Sequence, residues 1–462
     1  MPFHSIRWHE GCMNTVKNLD EFNTMPVGKA VWKNALPAMA SMVMVLVYNL
    51  ADTFFIGQTH DAVLVAAVSL ATPVYLIFMS AGTVFGIGGT SVISRSMGAG
   101  RKDYARKVCS FCMWSCVVVG VALALLLWFF LDEILVWIGS SAETLRPART
   151  YLAIVLTSAP FILIGNCFSN VLRAEGQSTS AMMGMLVGNL LNVILDPLMI
   201  ITFGWGIAGA AIATVIGNVV GAGYYLGYFL KGKSTLSISV KDFTIKEHTL
   251  SDVLSIGIPA SLGSLLMSVS SIILNSRMAS YGDMALAGIG VAAKVTMMTG
   301  MLCIGLGQGV QPLLGYCVGA KSWTRYKSVL HQSLSYAFFL GTMLTIVCYV
   351  FSKQIVRAFL SNGEAFTYGL GFTRIYLSTS FLFGLYYVLL NALQAMGAAK
   401  ASLIVNLSRQ GLVFIPLMFL FQAMIGINGL VWAQPVADLI STMLVALLYV
   451  RAEKKLMADV LS

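Results

Sequence analysis

Hydrophobic residues along this chain gather into long runs separated by short polar connections. Twelve such runs can be placed, at approximately 32–57, 65–97, 108–131, 150–172, 180–203, 207–230, 252–280, 285–318, 327–352, 370–395, 401–422 and 427–450. About 20 residues rising about 1.5 Å each cross the hydrocarbon of a bilayer, so every run is long enough to span it. A backbone in lipid must satisfy its own polar groups, which makes each run a helix. The pattern therefore predicts an all-α integral membrane protein with twelve transmembrane helices.

Composition excludes the alternatives. With 58% hydrophobic and 10% charged residues and a mean hydropathy of +0.82, the 462-residue chain lacks the polar surface a water-soluble protein needs. Its net charge of +10 would suit nucleic acid, but the basic residues lie in the short connections rather than along one amphipathic face. They report topology instead. Arg7, Lys17, Lys29 and Lys33 lie before or at the start of the first run, and alternate connections carry Arg101, Lys102, Arg106 and Lys107; Arg173; Lys231, Lys233, Lys241 and Lys246; Lys321, Arg325 and Lys327; Lys400; and Arg451, Lys454 and Lys455. The opposite connections hold little beyond Arg146, Arg149, Lys353 and Arg357. The positive-inside rule then puts both termini in the cytoplasm of an inner-membrane protein. The start of the chain, with Glu10, Asp20 and Glu21 and no apolar core, reads as a cytoplasmic tail rather than a signal peptide.

The two halves repeat one another at an offset of about 221 residues. Gly86-Ile-Gly88 followed by Met97-Gly98-Ala99 answers Gly307-Gln-Gly309 followed by Val318-Gly319-Ala320. Leu172-Arg-Ala174-Glu-Gly176 answers Leu393-Gln-Ala395-Met-Gly397, and Gly206-Ile-Ala-Gly209 with Ala213 answers Gly426-Ile-Asn-Gly429 with Ala433. Both halves begin on the same side, so an axis along the membrane normal relates them, as in transporters with two rocking lobes. The expected organisation is a cytoplasmic tail at 1–28, a first lobe at 29–230, a basic soluble inter-lobe loop at 231–250 acting as hinge, a second lobe at 251–450 and a cytoplasmic tail at 451–462.

Polar groups inside the runs carry the candidate chemistry. Asp52 in the first run and Asp196 in the fifth have no basic residue nearby in sequence. Counted from the nearest membrane face, these two acids and Thr214 of the sixth run share a layer about 8 to 11 Å below the outer surface. Asn192 stands one turn before Asp196, and Tyr48 and Asn49 one turn before Asp52. Such a cluster can be a set of neutral carboxyls bonded to Asn, Thr or Tyr for packing. It can also load and release a cation, because burial and mutual repulsion raise the affinity of paired acids for a proton. Pro37 removes a backbone bond from the first helix and can kink it. In the second half, Asp438 lies at a depth similar to Lys294 and Arg409, which favours a structural ion pair there. Arg277 is expected to snorkel outward, and the many Met and Phe residues suit a broad binding surface for apolar cations. Cys109, Cys112 and Cys116 recur at helical spacing, without a histidine or acid close by, as small apolar residues rather than metal ligands; no disulfide framework is expected.

In their order and spacing several of these segments resemble the multidrug and toxic compound extrusion (MATE) family over residues of about 30–450. The carrying segments are Pro37 with Asn49-Leu-Ala-Asp52-Thr-Phe-Phe-Ile-Gly57, then Gly98-Ala-Gly-Arg101-Lys102 and Asn192-Val-Ile-Leu-Asp196-Pro197. Gly206-Ile-Ala-Gly-Ala-Ala-Ile-Ala-Thr214 and Ala433-Gln-Pro435-Val-Ala-Asp438 complete the set. The resemblance implies two six-helix lobes around a central cavity and export of organic cations driven by protons or sodium. It also implies a first-lobe coupling site at Asp52, Asn192, Asp196 and Thr214. Where one branch of the family carries second-lobe acids, this chain aligns Met267 and Phe383, which is similar to the DinF-like and MepA-like branches.

The sequence thus points to a multidrug antiporter, no enzyme, that needs no cofactor beyond its coupling ion, a proton or alternatively sodium. Its partners are amphipathic cationic small molecules and the bilayer, with no nucleic acid, and one copy suffices for function. A lipid-linked saccharide flippase is the nearest rival, yet it would line its cavity with arginines for pyrophosphate. A membrane enzyme would need a nucleophile with a base or a histidine-rich metal set, and His331 is the only histidine within a span. A receptor or scaffold would move no solute.

Overall fold

The computed structural model describes residues 22–58, 62–246, 248–360 and 363–461. The early part of the expected tail, with Cys12, lies outside the described residues. In chain order the helices are α1 Val27–Gly57, α2 Ala62–Gly98, α3 Lys102–Phe129, α4 Leu131–Ile138, α5 Ala142–Leu156, α6 Ala159–Ala174, α7 Ser178–Pro197 and α8 Gly206–Leu230. The second half repeats them as α9 Thr249–Ala279, α10 Asp283–Gly319, α11 Trp323–Val350, α12 Ser352–Phe359, α13 Glu364–Leu377, α14 Leu382–Ala395, α15 Ala399–Leu407, α16 Phe414–Ile425 and α17 Ile427–Leu461. Among the described residues 11 helical runs are long and apolar enough to span a membrane, and α5 with α6, bent by 58°, makes up to 12. Their order is the order of the hydrophobic runs. Strands are absent among the described residues.

The duplication is visible in the helix lengths. α1 and α9 both have 31 residues, α2 and α10 have 37, α3 and α11 have 28, and α4 and α12 have 8. The two short helices fall in what the sequence reads as connections, because Asp132-Glu133 and Ser352-Lys353-Gln354 break the apolar runs there. Helix α1 continues through Pro37, a tolerated residue because side chains and neighbouring helices can take over the freed carbonyl.

Among the described residues two compact units emerge, one of Ala40–Gly257 with the residues before Pro26, and one of Pro26–Met39 with the residues from Ile258 onward. The division therefore falls inside α1 and α9, two residues after Pro37 and just before Pro259, and not in the 231–250 loop. The start of α1 belongs with α10: a Cβ on Gly309 would stand 2.5 Å from Ala35 Cα, and one on Gly305 would stand 2.6 Å from Met39 Cα. The start of α9 belongs with α2 in the same manner, since a Cβ on Gly88 would strike the Val253 carbonyl and one on Gly257 that of Val84. Glycine at these places lets helix backbones touch, the packing that substitutes in lipid for a hydrophobic driving force.

The cysteines on α3 are packing residues. Cys109, Cys112 and Cys116 are buried, with Cys112 Sγ 3.5 Å from the Phe85 carbonyl and Cys116 Sγ 3.8 Å from that of Leu163. The described cysteines are free thiols.

Candidate functional site

The first unit gathers polar side chains from α1, α2, α5, α7 and α8. Contact between α7 and α8 sets the geometry, and glycines make it close: a Cβ on Gly188 would lie 2.8 Å from the Gly217 carbonyl, and one on Gly217 would lie 2.8 Å from the Gly188 carbonyl and 3.0 Å from Asn192 Cβ. That approach brings Asn192 Nδ2 to 3.4 Å from Thr214 Oγ1 and 3.5 Å from Asp196 Oδ1. Thr214 in turn donates to the Ala210 carbonyl at 3.0 Å, leaving its lone pairs to accept. Asn192, Asp196 and Thr214 are buried. After Asp196, Pro197 ends α7 and a π-turn spans Leu198–Thr202, the wide turn a proline without an N–H can leave behind.

Three buried acceptor oxygens in this cluster, Asp52 Oδ1, Asp196 Oδ2 and Asn192 Oδ1, have no hydrogen-bond donor among the described residues. Buried polar atoms are satisfied in most folded proteins, so several orphaned acceptors together call for an explanation. A proton on a carboxyl would turn one acceptor into a donor, and a small hard cation would be ligated by the same oxygens. The arrangement can hold one or the other.

Tyrosines wall the cluster, and sequence reasoning found only one of them. Tyr48 lies within electrostatic reach of both Asp52 and Asp196. Tyr75 of α2 and Tyr151 of α5 are likewise close to Asp52, with the Tyr151 hydroxyl in hydrogen-bonding reach of Thr214 and that of Tyr75 in reach of Asn218. Tyr75, Tyr151 and Asn218 come from other turns and helices, and no spacing rule along one helix could collect them. Asn49, placed beside Asp52 by spacing, is exposed.

The second unit contrasts with this. Arg409 Nε donates to Asp438 Oδ1 at 2.8 Å and its Nη1 to the Tyr387 hydroxyl at 2.8 Å. The guanidinium carbon lies over the rings of Phe383, Tyr386 and Tyr387 at 4.8, 5.1 and 5.5 Å. Gln434 Nε2 adds a bond to the same carboxylate oxygen at 3.0 Å. Arg409 is the partner of Asp438. Lys294 is not: it is exposed, with its ammonium over the Phe359 ring at 5.8 Å, so equal depth did not mean a shared face. Phe383, which stands where the resemblance would have put an acid, helps to cage this arginine. Arg277 is exposed over Phe419 at 4.8 Å, and Met267 is exposed.

Among the described residues outside the spans, one carboxylate is fully buried. Glu175 accepts from Ser234 Oγ at 2.7 Å and from Thr235 through its N–H at 2.5 Å and its hydroxyl at 2.7 Å. Burial pushes this carboxyl above its ordinary range while those bonds pull it the other way.

One substitution tests the helix contact. Ala at an exposed helical glycine stabilises by about 1 kcal/mol, but Gly217→Ala pushes on Asn192 and Gly188 and should destabilise by about 1–3 kcal/mol. Thermal unfolding of the purified protein checks this; a higher melting temperature would contradict the contact.

Comparison with known proteins agrees with the architecture. The MatE family model matches residues 37–198 and 259–420, one match per half. The chain is 30% identical over 440 residues to the multidrug export protein MepA of Staphylococcus aureus, covering 95% of this chain and 97% of that protein. A crystal structure of a MATE transporter in complex with MaL6 superposes with a TM-score of 0.89 at 24% identity, over 95% of this chain and 98% of that one. A Pyrococcus furiosus transporter of the MOP superfamily, described as having a binding pocket of reverse polarity, superposes at 0.88 with 23% identity, over 95% of this chain and 98% of that one.

Proposed function

This chain belongs to the MatE transporter family, and from that premise we propose that it is a multidrug exporter that expels amphipathic, cationic organic compounds in exchange for protons. The observation that carries the proposal is the group of orphaned carboxyl and amide oxygens around Asp52, Asn192 and Asp196. In this account Asp52 and Asp196 take up a proton from outside and release it inside as the two lobes alternate access. Asn192 and Thr214 hold the Asp196 carboxylate in place, and Tyr48 closes the cluster. Asp438 and Arg409 neutralise each other and serve packing. The protein acts as a single copy in the cytoplasmic membrane with both termini inside.

Energetics permit this coupling. One charge moving down about 100 mV supplies about 2.3 kcal/mol, which sustains a gradient of about fifty-fold per net charge moved. The relative supports the substrate class, since MepA is named for multidrug export.

Reconstitution tests the proposal. Proteoliposomes loaded with a fluorescent amphipathic cation are given a pH gradient or a sodium gradient separately. Efflux that follows the pH gradient alone is expected. Efflux that follows only sodium would assign the same oxygen cluster to a sodium ion, and no efflux under either would overturn transport of this substrate class.

A further inference from the structure

The connection between the halves does not hang free; it lies along one stripe of α3. Trp114 Nε1 donates to the Ile238 carbonyl at 3.2 Å, and Ser110 Oγ to that of Ser239 at 2.6 Å. Arg106 meets Asp242 at 3.7 Å, and Phe243 stacks on Phe111 with ring centroids 6.0 Å apart. Positions 106, 110 and 114 fall on one face of the helix because they recur every fourth residue. Continued away from the basic end, the same stripe is Val118, Val121 and Leu125, which are 64%, 43% and 55% exposed. Apolar surface left uncovered on a spanning helix faces lipid.

Depth follows from length. The 28 residues of α3 measure about 42 Å, against about 30 Å of hydrocarbon. With the far end of α3 at the opposite face, Ser110 and Trp114, about 12 to 18 Å from the helix start, fall at the edge of the acyl region. The strap therefore crosses the headgroup layer. Irregular backbone there needs partners, and Ser110 and Trp114 supply them.

The outer side of the strap mixes two chemistries. Val240 and Ile245 are 62% and 57% exposed, and Lys241 and Lys246 beside them are exposed as well. Asp242, between them, is engaged by Arg106 and so is drawn away from the lysines. Interleaved apolar and ammonium side chains at that depth match acyl chains beneath phosphodiester headgroups. We propose that residues 240–246 form a docking site for anionic phospholipid, in which Lys241 and Lys246 hold the phosphodiester oxygens and Val240 and Ile245 enter the acyl boundary. Because Glu175 clamps the start of the same strap through Ser234 and Thr235, a lipid held there stiffens the whole connection against α3.

Native mass spectrometry of the full-length protein in neutral detergent tests the site, with phosphatidylglycerol, phosphatidylcholine and inorganic phosphate as probes. Phosphatidylglycerol is expected to bind more tightly than phosphatidylcholine and to resist millimolar inorganic phosphate. A basic residue near an anionic surface contributes about a factor of five, so the Lys241→Gln, Lys246→Gln double variant should bind phosphatidylglycerol about 30-fold more weakly. Its weak binding of phosphatidylcholine, unchanged, shows that it is folded. Val240→Ser with Ile245→Ser should also weaken phosphatidylglycerol binding. Equal affinity for the two lipids, full affinity in the lysine variant, or displacement by inorganic phosphate would overturn the proposal.

Discussion

Asp196→Asn is expected to abolish the proton release that an amphipathic cation evokes in proteoliposomes, and Asp52→Asn to do the same. Asparagine keeps the size and one acceptor of aspartate but cannot take up or give up a proton at neutral pH. Either variant should lose the whole driving term of about 2.3 kcal/mol per proton at about 100 mV, so the gradient it can sustain falls from about fifty-fold to none. Asp196 sits buried beside Asn192 and Thr214 with one oxygen orphaned, so the Asp196→Asn variant should fold normally, because the change removes a costly buried charge while keeping the shape of the side chain. The expected signature is therefore a folded protein that still binds the cation and no longer exchanges it. Intact exchange in either variant removes the coupling role of that acid.

Asp438→Asn is expected to cost the second unit much of its stability. It leaves the Arg409 guanidinium, buried among Phe383, Tyr386 and Tyr387, without its counter-charge. Removing one partner of a buried ion pair costs about 3–5 kcal/mol, whereas replacing both by apolar residues of similar size is often neutral. Asp438→Leu combined with Arg409→Met should therefore recover most of the stability lost in the single variant. Thermal unfolding in detergent measures both. A single variant as stable as the natural protein would show that the pair is solvated rather than buried, and a double variant as unstable as the single would assign the loss to packing.

The layout of this protein was legible in sequence wherever a local rule fixes the outcome. The twelve runs reappear in the same order as eleven helices of spanning length and one bent pair, because lipid leaves a backbone no alternative to the helix. Asp196 and Asn192 were paired correctly because one helical turn separates them, and Thr214 joined them through the close contact of α7 with α8. What lay beyond reach was the direction in which a side chain points around its helix. Depth along the membrane can be counted from sequence, yet Lys294, counted to the depth of Asp438, is exposed over Phe359 instead of pairing with it, and Asn49 neighbours Asp52 in sequence and is exposed. Tyr75 and Tyr151 reach the acids from α2 and α5, a meeting set by helix packing alone. The same holds for the starts of α1 and α9. Each packs with the other repeat through glycine contacts that read in sequence as ordinary small residues. The inter-lobe loop, basic and polar in composition, gave no sign that Trp114 and Ser110 bind its backbone.

The central claim is that Asp52 and Asp196 exchange protons for drug. It is tested most directly by adding a fluorescent amphipathic cation to purified protein in weakly buffered detergent and counting the protons released, for the natural chain and for Asp52→Asn with Asp196→Asn. The account predicts release from the natural chain and none from the double variant, with the cation bound in both. Equal release from the two proteins, or sodium displacement in place of proton release, would contradict it.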